Sequence, residues 1–262
     1  MSVSTHIDDA KTRIRCERDA TEAKLDAIKR FTDRVKELPP EPTPRSVQGV
    51  TAAAGALSHV SHSTEDRCQI VRRTFAETIR PQITDDAEKS ESLHATIEAE
   101  FSESLAVALA PTTETSFSPE LKEAVVSEAN IRRVEVDVLR RALRREASRL
   151  DDAGAVVTDI TEWITAKNET PLTALDFDEL HRRHETLTDH RDRCEALARQ
   201  RQEFLRSTTN HGGEIGISHR NLIPYIYQDF PVDYPVLTTV ARLDSTCEEC
   251  QRAVRQHLVR RA

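Results

Sequence analysis

Apolar side chains in this chain return every third or fourth residue, and strict apolar–polar alternation nowhere lasts beyond about four residues. That spacing paints one stripe along a helix and leaves a sheet no face to bury. Val3, Ile7, Ala10, Ile14, Thr21, Leu25, Ile28, Val35 and Leu38 set the stripe of a first helix over 3–38. Pro39, Pro40, Pro42 and Pro44 then forbid helix and predict a stiff extended linker. Residues 45–62 are small and polar and extend that linker.

The same punctuation marks the later helices. Ser63 to Asp66 reads as a helix start, with Asp66 reaching back to the first turn, and Cys68, Val71, Phe75 and Ile79 follow until Pro81. Leu93, Ile97, Phe101, Leu105 and Leu109 predict one helix over 86–109, ended by Pro111. Ser118, Pro119 and Glu120 supply a cap, a first-turn proline and an acid at the positive helix end. The helix they open carries Leu121, Val125, Val136, Leu139, Leu143 and Leu150 and continues past Gly154 to Trp163. Thr170, Pro171, Asp176 and Glu179 mark another start, with Leu180, His184, Leu187, Cys194, Leu197 and Phe204 as its stripe. Pro235 opens the last helix, where Val236, Val240, Leu243, Cys247, Cys250, Val254 and His257 keep a heptad seam. The expected fold is all-α: an elongated bundle of coiled-coil-like helices with a proline-rich linker after the first. Its domains would be an arm (1–38), a linker (39–62) and a helical core (63–262), the last including a C-terminal module over 211–262.

Composition fits narrow stripes. Aromatic residues are 4% and charged residues 31%, at a formal net charge of -8. Seven lysines stand against thirty arginines. An acidic, lysine-poor surface suits high salt, where hydrated carboxylates keep a protein soluble. No run approaches a membrane-spanning length, and Met1 to Arg18 is charged throughout, without a signal-peptide core. Five cysteines without framework spacing agree with reduced thiols, so the expected location is the cytoplasm.

Specialised side chains concentrate at the end of the chain. All three tyrosines, Tyr225, Tyr227 and Tyr234, lie within ten residues beside Phe230, Pro224, Pro231 and Pro235. Gly212, Gly213 and Gly216 precede them and read as a hinge. The run from Leu222 to Leu237, continued by Val240, Leu243, Cys247, Cys250 and Val254, resembles an uncharacterised family of haloarchaeal proteins, domain of unknown function 7260. Thr170 to Leu172, Arg183 to Leu187, and Arg193 with Cys194 share that resemblance. It implies high-salt adaptation. It carries no activity and no catalytic residue.

Chemistry-bearing patterns are sparse. Cys247-x-x-Cys250, with His257 on the same helix and Cys194 on another, could form a metal site or, through its thiols, a redox site. The cysteines also occupy apolar stripe positions, where cysteine packs as a small hydrophobe, and that is the expected role. Glu91-x-x-His94 is a single match where a di-iron bundle needs two such motifs. His181, His184, His190, His211 and His219 cluster in sequence, with only His184 on the stripe. Arg132, Arg133, Arg140, Arg141, Arg144, Arg145 and Arg149 form a basic stretch, interrupted by Glu135, Asp137 and Glu146, which favours helix-surface ion pairs over nucleic acid. No catalytic set or cofactor is expected. The preferred reading is a non-enzymatic scaffold that meets a protein partner or itself, with the segment over 222–237, carrying Tyr225, Tyr227, Phe230 and Tyr234, as the specific contact or as the latch that closes the bundle. The prolines predict an irregular crossing over 222–235. Tyr225, Phe230 and Tyr234 would then pack against the helix over 177–207, near Leu187 and Cys194, with the tyrosine hydroxyls at the edge.

Overall fold

The computed structural model describes residues 6–41, 66–83, 92–113, 115–211 and 215–260. Most of the expected linker, Ser63, Glu91 and the glycines Gly212 and Gly213 lie outside the described residues. The chain is all-α. Its helices are α1 (Ile7–Glu37), α2 (Arg67–Thr78), α3 (Leu93–Glu100), α4 (Glu103–Ala108), α5 (Pro119–Asn168), α6 (Phe177–Arg206), α7 (His219–Ile226) and α8 (Pro235–Val259). Strands β1 (Thr208–His211) and β2 (Ile215–Ser218) form an antiparallel hairpin, with Thr208 opposite Ser218 and His211 opposite Ile215. The ladder takes in Gly216, one of the three glycines expected to form a hinge. The backbone bond from His219 N to Ser207 O, 3.2 Å, closes its base.

Contacts divide the chain into two units, 1–19 with 138–262, and 20–137. This replaces the expected arm and core. The first helix is no free arm, because Ile7, Ala10, Ile14, Thr21, Ile28 and Val35 of its stripe are buried. Ile7, Ala10 and Ile14 belong to the core of the first unit, and Ile28, Phe31 and Val35 to that of the second. α1 and α5 each supply residues to both units.

In the unit over 20–137, Phe31, Phe75 and Phe101 form an aromatic trio with centroids 5.5 to 5.9 Å apart. Around it pack Val71, Ile97, Leu105, Phe117 and Val125. Asp66 caps α2 by accepting from Cys68 N at 2.9 Å, and Ser92 caps α3 by accepting from Ala95 N at 3.2 Å. The helix expected over 86–109 is instead two, α3 and α4. Phe101 leaves helical geometry (φ -122°, ψ -88°), and its ring joins Phe31 and Phe75. Packing an aromatic into that trio outweighs one turn of helix. Glu100, just before the break, is buried between Lys24 (2.5 Å) and Arg132 (3.0 Å).

The other unit is built on α5, α6 and α8. Asp176 caps α6 by accepting from Glu179 N at 2.8 Å. α6 and α8 run antiparallel, held by Arg191 on Asp244 (3.0 Å) and Gln251 on Thr188 (2.8 Å). The seam of α8 buries Val236, Val240, Leu243, Cys247 and Val254, while Gln251 takes the place expected for Cys250. The start of α1 lies on α5 at Gly154, where a Cβ would come within 2.7 Å of Lys11 Nζ, and Lys11 pairs with Asp151 at 3.1 Å.

Candidate functional site: the C-terminal aromatic module

The segment over 222–235, expected to be irregular throughout, starts inside a helix and is irregular only from 227 to 234. His219 to Ile226 form α7, with Pro224 inside it. Proline there removes one donor, and the carbonyl it would have met belongs to Arg220, which is exposed. Helical geometry then sorts the side chains. His219, Leu222, Ile223, Ile226 and Tyr227 fall at i, i+3, i+4, i+7 and i+8 and are all buried. Tyr225 falls on the opposite face and is 66% exposed, whereas Tyr227 is 1% exposed. The expectation that Tyr225 packs inward is thereby corrected. Tyr227 is the buried ring, and its hydroxyl lies inside rather than at an edge. Phe230 and Tyr234 are half-buried against the same core, and Phe230 meets Tyr227 at 5.5 Å and His6 at 6.2 Å.

The buried hydroxyl ends on a charge pair. Tyr227 Oη donates to Glu146 Oε1 at 3.0 Å. Arg201 grips the same carboxylate with both arms, Nη1 to Oε2 at 2.6 Å and Nη2 to Oε1 at 2.8 Å. The fork matches guanidinium to carboxylate and recovers much of what desolvating both ions costs. The Arg201 guanidinium also lies 5.2 Å from the Phe204 centroid, and Arg149 lies 5.8 Å from it. His219 packs on that same ring at 4.2 Å. Burial, with the adjacent Glu146 carboxylate, pushes the Tyr227 hydroxyl well above the ordinary phenol range. Tyr227 therefore stays protonated and stays a donor. Burial holds the His219 imidazole below its ordinary value, so it is neutral near pH 7.

A second clamp comes from α1. Arg13 Nε donates to the Ile226 carbonyl at 3.3 Å, at the end of α7 where the helix exposes its unpaired carbonyls. His6 N donates to Thr239 Oγ1 at 3.3 Å at the start of α8. The module is thus tied to α1, α5 and α6 at once. Sequence reading passed over Arg13, Glu146 and Arg201 as site residues. A signal existed, since Glu146 sits between Leu143 and Leu150, and Arg201 between Leu197 and Phe204, in slots their stripes reserve for apolar side chains.

The cysteine and histidine candidates divide differently from expectation. Cys194 of α6 and Cys247 of α8 are both buried in the same core cluster. Cys250 turns away and lines a cavity of about 220 Å³ with Trp163, Leu172, Leu187 and Val254, across from Arg183. His257 is half-buried near the end of α8. Among the described residues no three His, Cys, Asp or Glu side chains converge as metal ligands, so the set Cys194, Cys247, Cys250 and His257 does not assemble. Among the described side chains His190 and His219 are buried while His184 is half-buried, and His190 lies edge-on to Trp163 at 4.9 Å. His94 faces Glu98 and His181 faces Glu185, each on its own helix. The basic stretch of α5 is occupied: Arg132 holds Glu100 and Glu135, and Arg140, Arg141, Arg144 and Arg145 all have partners.

The described residues close an aromatic module of an all-α chain on a buried ion pair. The chain belongs to the family described as Domain of unknown function (DUF7260), which matches residues 5–251. No curated protein and no solved structure matches it. No helix among the described residues is long and apolar enough to cross a membrane.

Proposed function

We propose that this chain is a non-enzymatic, cytosolic interaction protein that recognises a protein partner through the outer face of its C-terminal module. The observation that supports this reading is the division of labour within α7. Tyr227 locks the module inward onto Glu146, while Tyr225, two residues away, holds its ring 66% exposed. A rigidly mounted, exposed tyrosine offers contact area at low entropic cost. Asp229, Pro231 and Asp233 are exposed beside it in sequence. An aromatic ring with two carboxylates suits a partner that presents an arginine or lysine. The acidic, lysine-poor composition supports a high-salt cytosol as the setting.

Pull-down from a high-salt lysate, with wild type and Tyr225→Ala as paired baits, tests the reading. A protein held by wild type and lost with Tyr225→Ala, at unchanged melting temperature, supports it. Equal capture by both baits refutes it. Sedimentation of the two proteins separates a second copy of this chain from a different partner.

A further inference from the structure

We propose that the cavity where α5 ends against α6 and α8 binds a small organic monoanion, a carboxylate carried on a single aromatic ring. α5 stops at Asn168, and the chain turns at Thr170 and Pro171 through one 3-10 turn, Leu172–Ala174, before α6 begins at Phe177. Pro171 O accepts from Ala174 N at 3.0 Å, which holds the turn. Arg183 of α6 reaches back and donates through Nη1 to the Lys167 carbonyl at 2.9 Å and more loosely to that of Thr170 at 3.5 Å. The loop is thereby pinned across the end of α5. α8 supplies a third wall with Cys250 and Val254, and the space between is about 220 Å³. A cavity of about 150 Å³ takes up benzene, so one ring with a short substituent fits here.

The lining sorts by chemistry. Leu187 and Val254 are buried, and Trp163, Leu172 and Cys250 are half-buried, so the walls are apolar. Lys167 and Arg183 are the charged residues of the lining, both cations, in a chain whose formal net charge is -8. Lys167 is exposed and Arg183 half-buried, which sets positive charge at the outer end of an apolar space. Among the described residues no carboxylate lines the cavity, and neither cation forms an ion pair. Apolar walls with a few convergent polar groups are the usual form of a small-molecule site. A carboxylate at the mouth meets the Lys167 ammonium and the Arg183 nitrogens not spent on the loop. Carbonyls at the end of α5 already offset part of the Arg183 charge, so what is left suits a monoanion rather than a phosphate dianion. A ring beside Trp163 gains aromatic contact that an aliphatic chain lacks. None of these residues belongs to 219–235, so the site is separate from the face of α7 proposed to meet a protein.

Trp163 is the only tryptophan of the chain, so its fluorescence reports on the cavity directly. The test titrates the full-length chain, at constant high salt, with phenylacetate, phenethyl alcohol, hexanoate and phenyl phosphate. Phenylacetate should change the emission saturably and bind about ten-fold tighter than phenethyl alcohol, which keeps the ring and lacks the charge. Lys167 is the cation to change, because Arg183 also holds the loop. Lys167→Gln should weaken phenylacetate about three-fold and leave phenethyl alcohol as it was. Ala253→Leu, which fills part of the cavity from α8, should abolish the saturable response at an unchanged far-ultraviolet spectrum. Phenylacetate should also slow maleimide labelling of Cys250, which lines the cavity, and not of Cys16, which is exposed on α1. No saturable change, equal affinity for the alcohol, or tighter binding of hexanoate or phenyl phosphate overturns the proposal. Unaltered affinity in Lys167→Gln, or equal protection of Cys16 and Cys250, overturns it as well.

Discussion

The two units each bury a glutamate, and they treat it differently. Glu100, in the unit over 20–137, meets Lys24 and Arg132, whose side chains remain 18% and 30% exposed. Glu146, in the other unit, meets Arg201 and Tyr227, and the ion pair is 0% and 3% exposed. The first carboxylate has two cations that keep contact with water. The second has one cation and one hydroxyl, sealed together. A charge beside water can be re-solvated when a partner goes, while a sealed one cannot. The sealed pair is also what mounts α7, so the unit with the exposed tyrosine is the unit that a single charge change can undo.

The largest expected effect is Arg201→Met. It strands the Glu146 carboxylate in the core and should cost about 3–5 kcal/mol in denaturant unfolding. Arg201→Met combined with Glu146→Leu removes both charges and should recover most of that loss. If the double variant is no more stable than Arg201→Met, the cost lies in packing and the contrast between the units fails. Next comes Tyr227→Phe, which keeps the ring and removes one hydrogen bond to a charged acceptor. About 1.5–3 kcal/mol is expected, with near-ultraviolet dichroism close to wild type. In the other unit, Lys24→Met leaves Arg132 in place on Glu100 and should cost about 1 kcal/mol or less. A Lys24→Met loss as large as that of Arg201→Met would show that the two sites are equally sealed.

Legibility in the sequence followed the range of the forces involved. Asp66, Ser118 with Pro119, and Asp176 announced helix starts because a cap acts on backbone within three residues of itself. The break at Phe101 was not legible. Nothing local ends that helix, and its cause is a pair of rings at Phe31 and Phe75, far away in sequence. α7 shows a different failure. The prolines predict no helix over 222–235, and without a helix the tyrosines have no assigned faces. A short helix tolerates Pro224, and its period then buries Tyr227 and exposes Tyr225. Glu146 and Arg201 were visible as charges inside apolar stripes. Each alone reads as a surface residue at the stripe edge, and only their pairing across α5 and α6 makes either a core residue.

Titration offers the smallest effect and a direct way to separate the units. Burial, with the nearby Arg193, holds His190 below its ordinary 6.5, and burial does the same for His219 despite the opposing Glu146. His184 shifts the same way, through burial and then Arg255. As pH falls through 6.5 the unfolded chain takes up these protons and the folded chain does not. Stability is therefore full above that value and is lost progressively until the folded imidazoles charge. Glu100 behaves differently. Burial raises its carboxyl, but Lys24 and Arg132 outweigh burial and hold it below 4.5. Its contribution is intact above 4.5 and is lost only as pH falls further, through the folded value. Between about pH 6.5 and about pH 5, then, the unit over 138–262 should weaken while the Glu100 network holds. The sole tryptophan, Trp163, lies edge-on to His190 and reports on that unit. Urea midpoints followed by its fluorescence should drop across this window in wild type. The drop should shrink to the His184 share in His190→Gln combined with His219→Phe, and Lys24→Met should leave the slope as it is. An unchanged slope in the double histidine variant would remove the buried imidazoles as the cause.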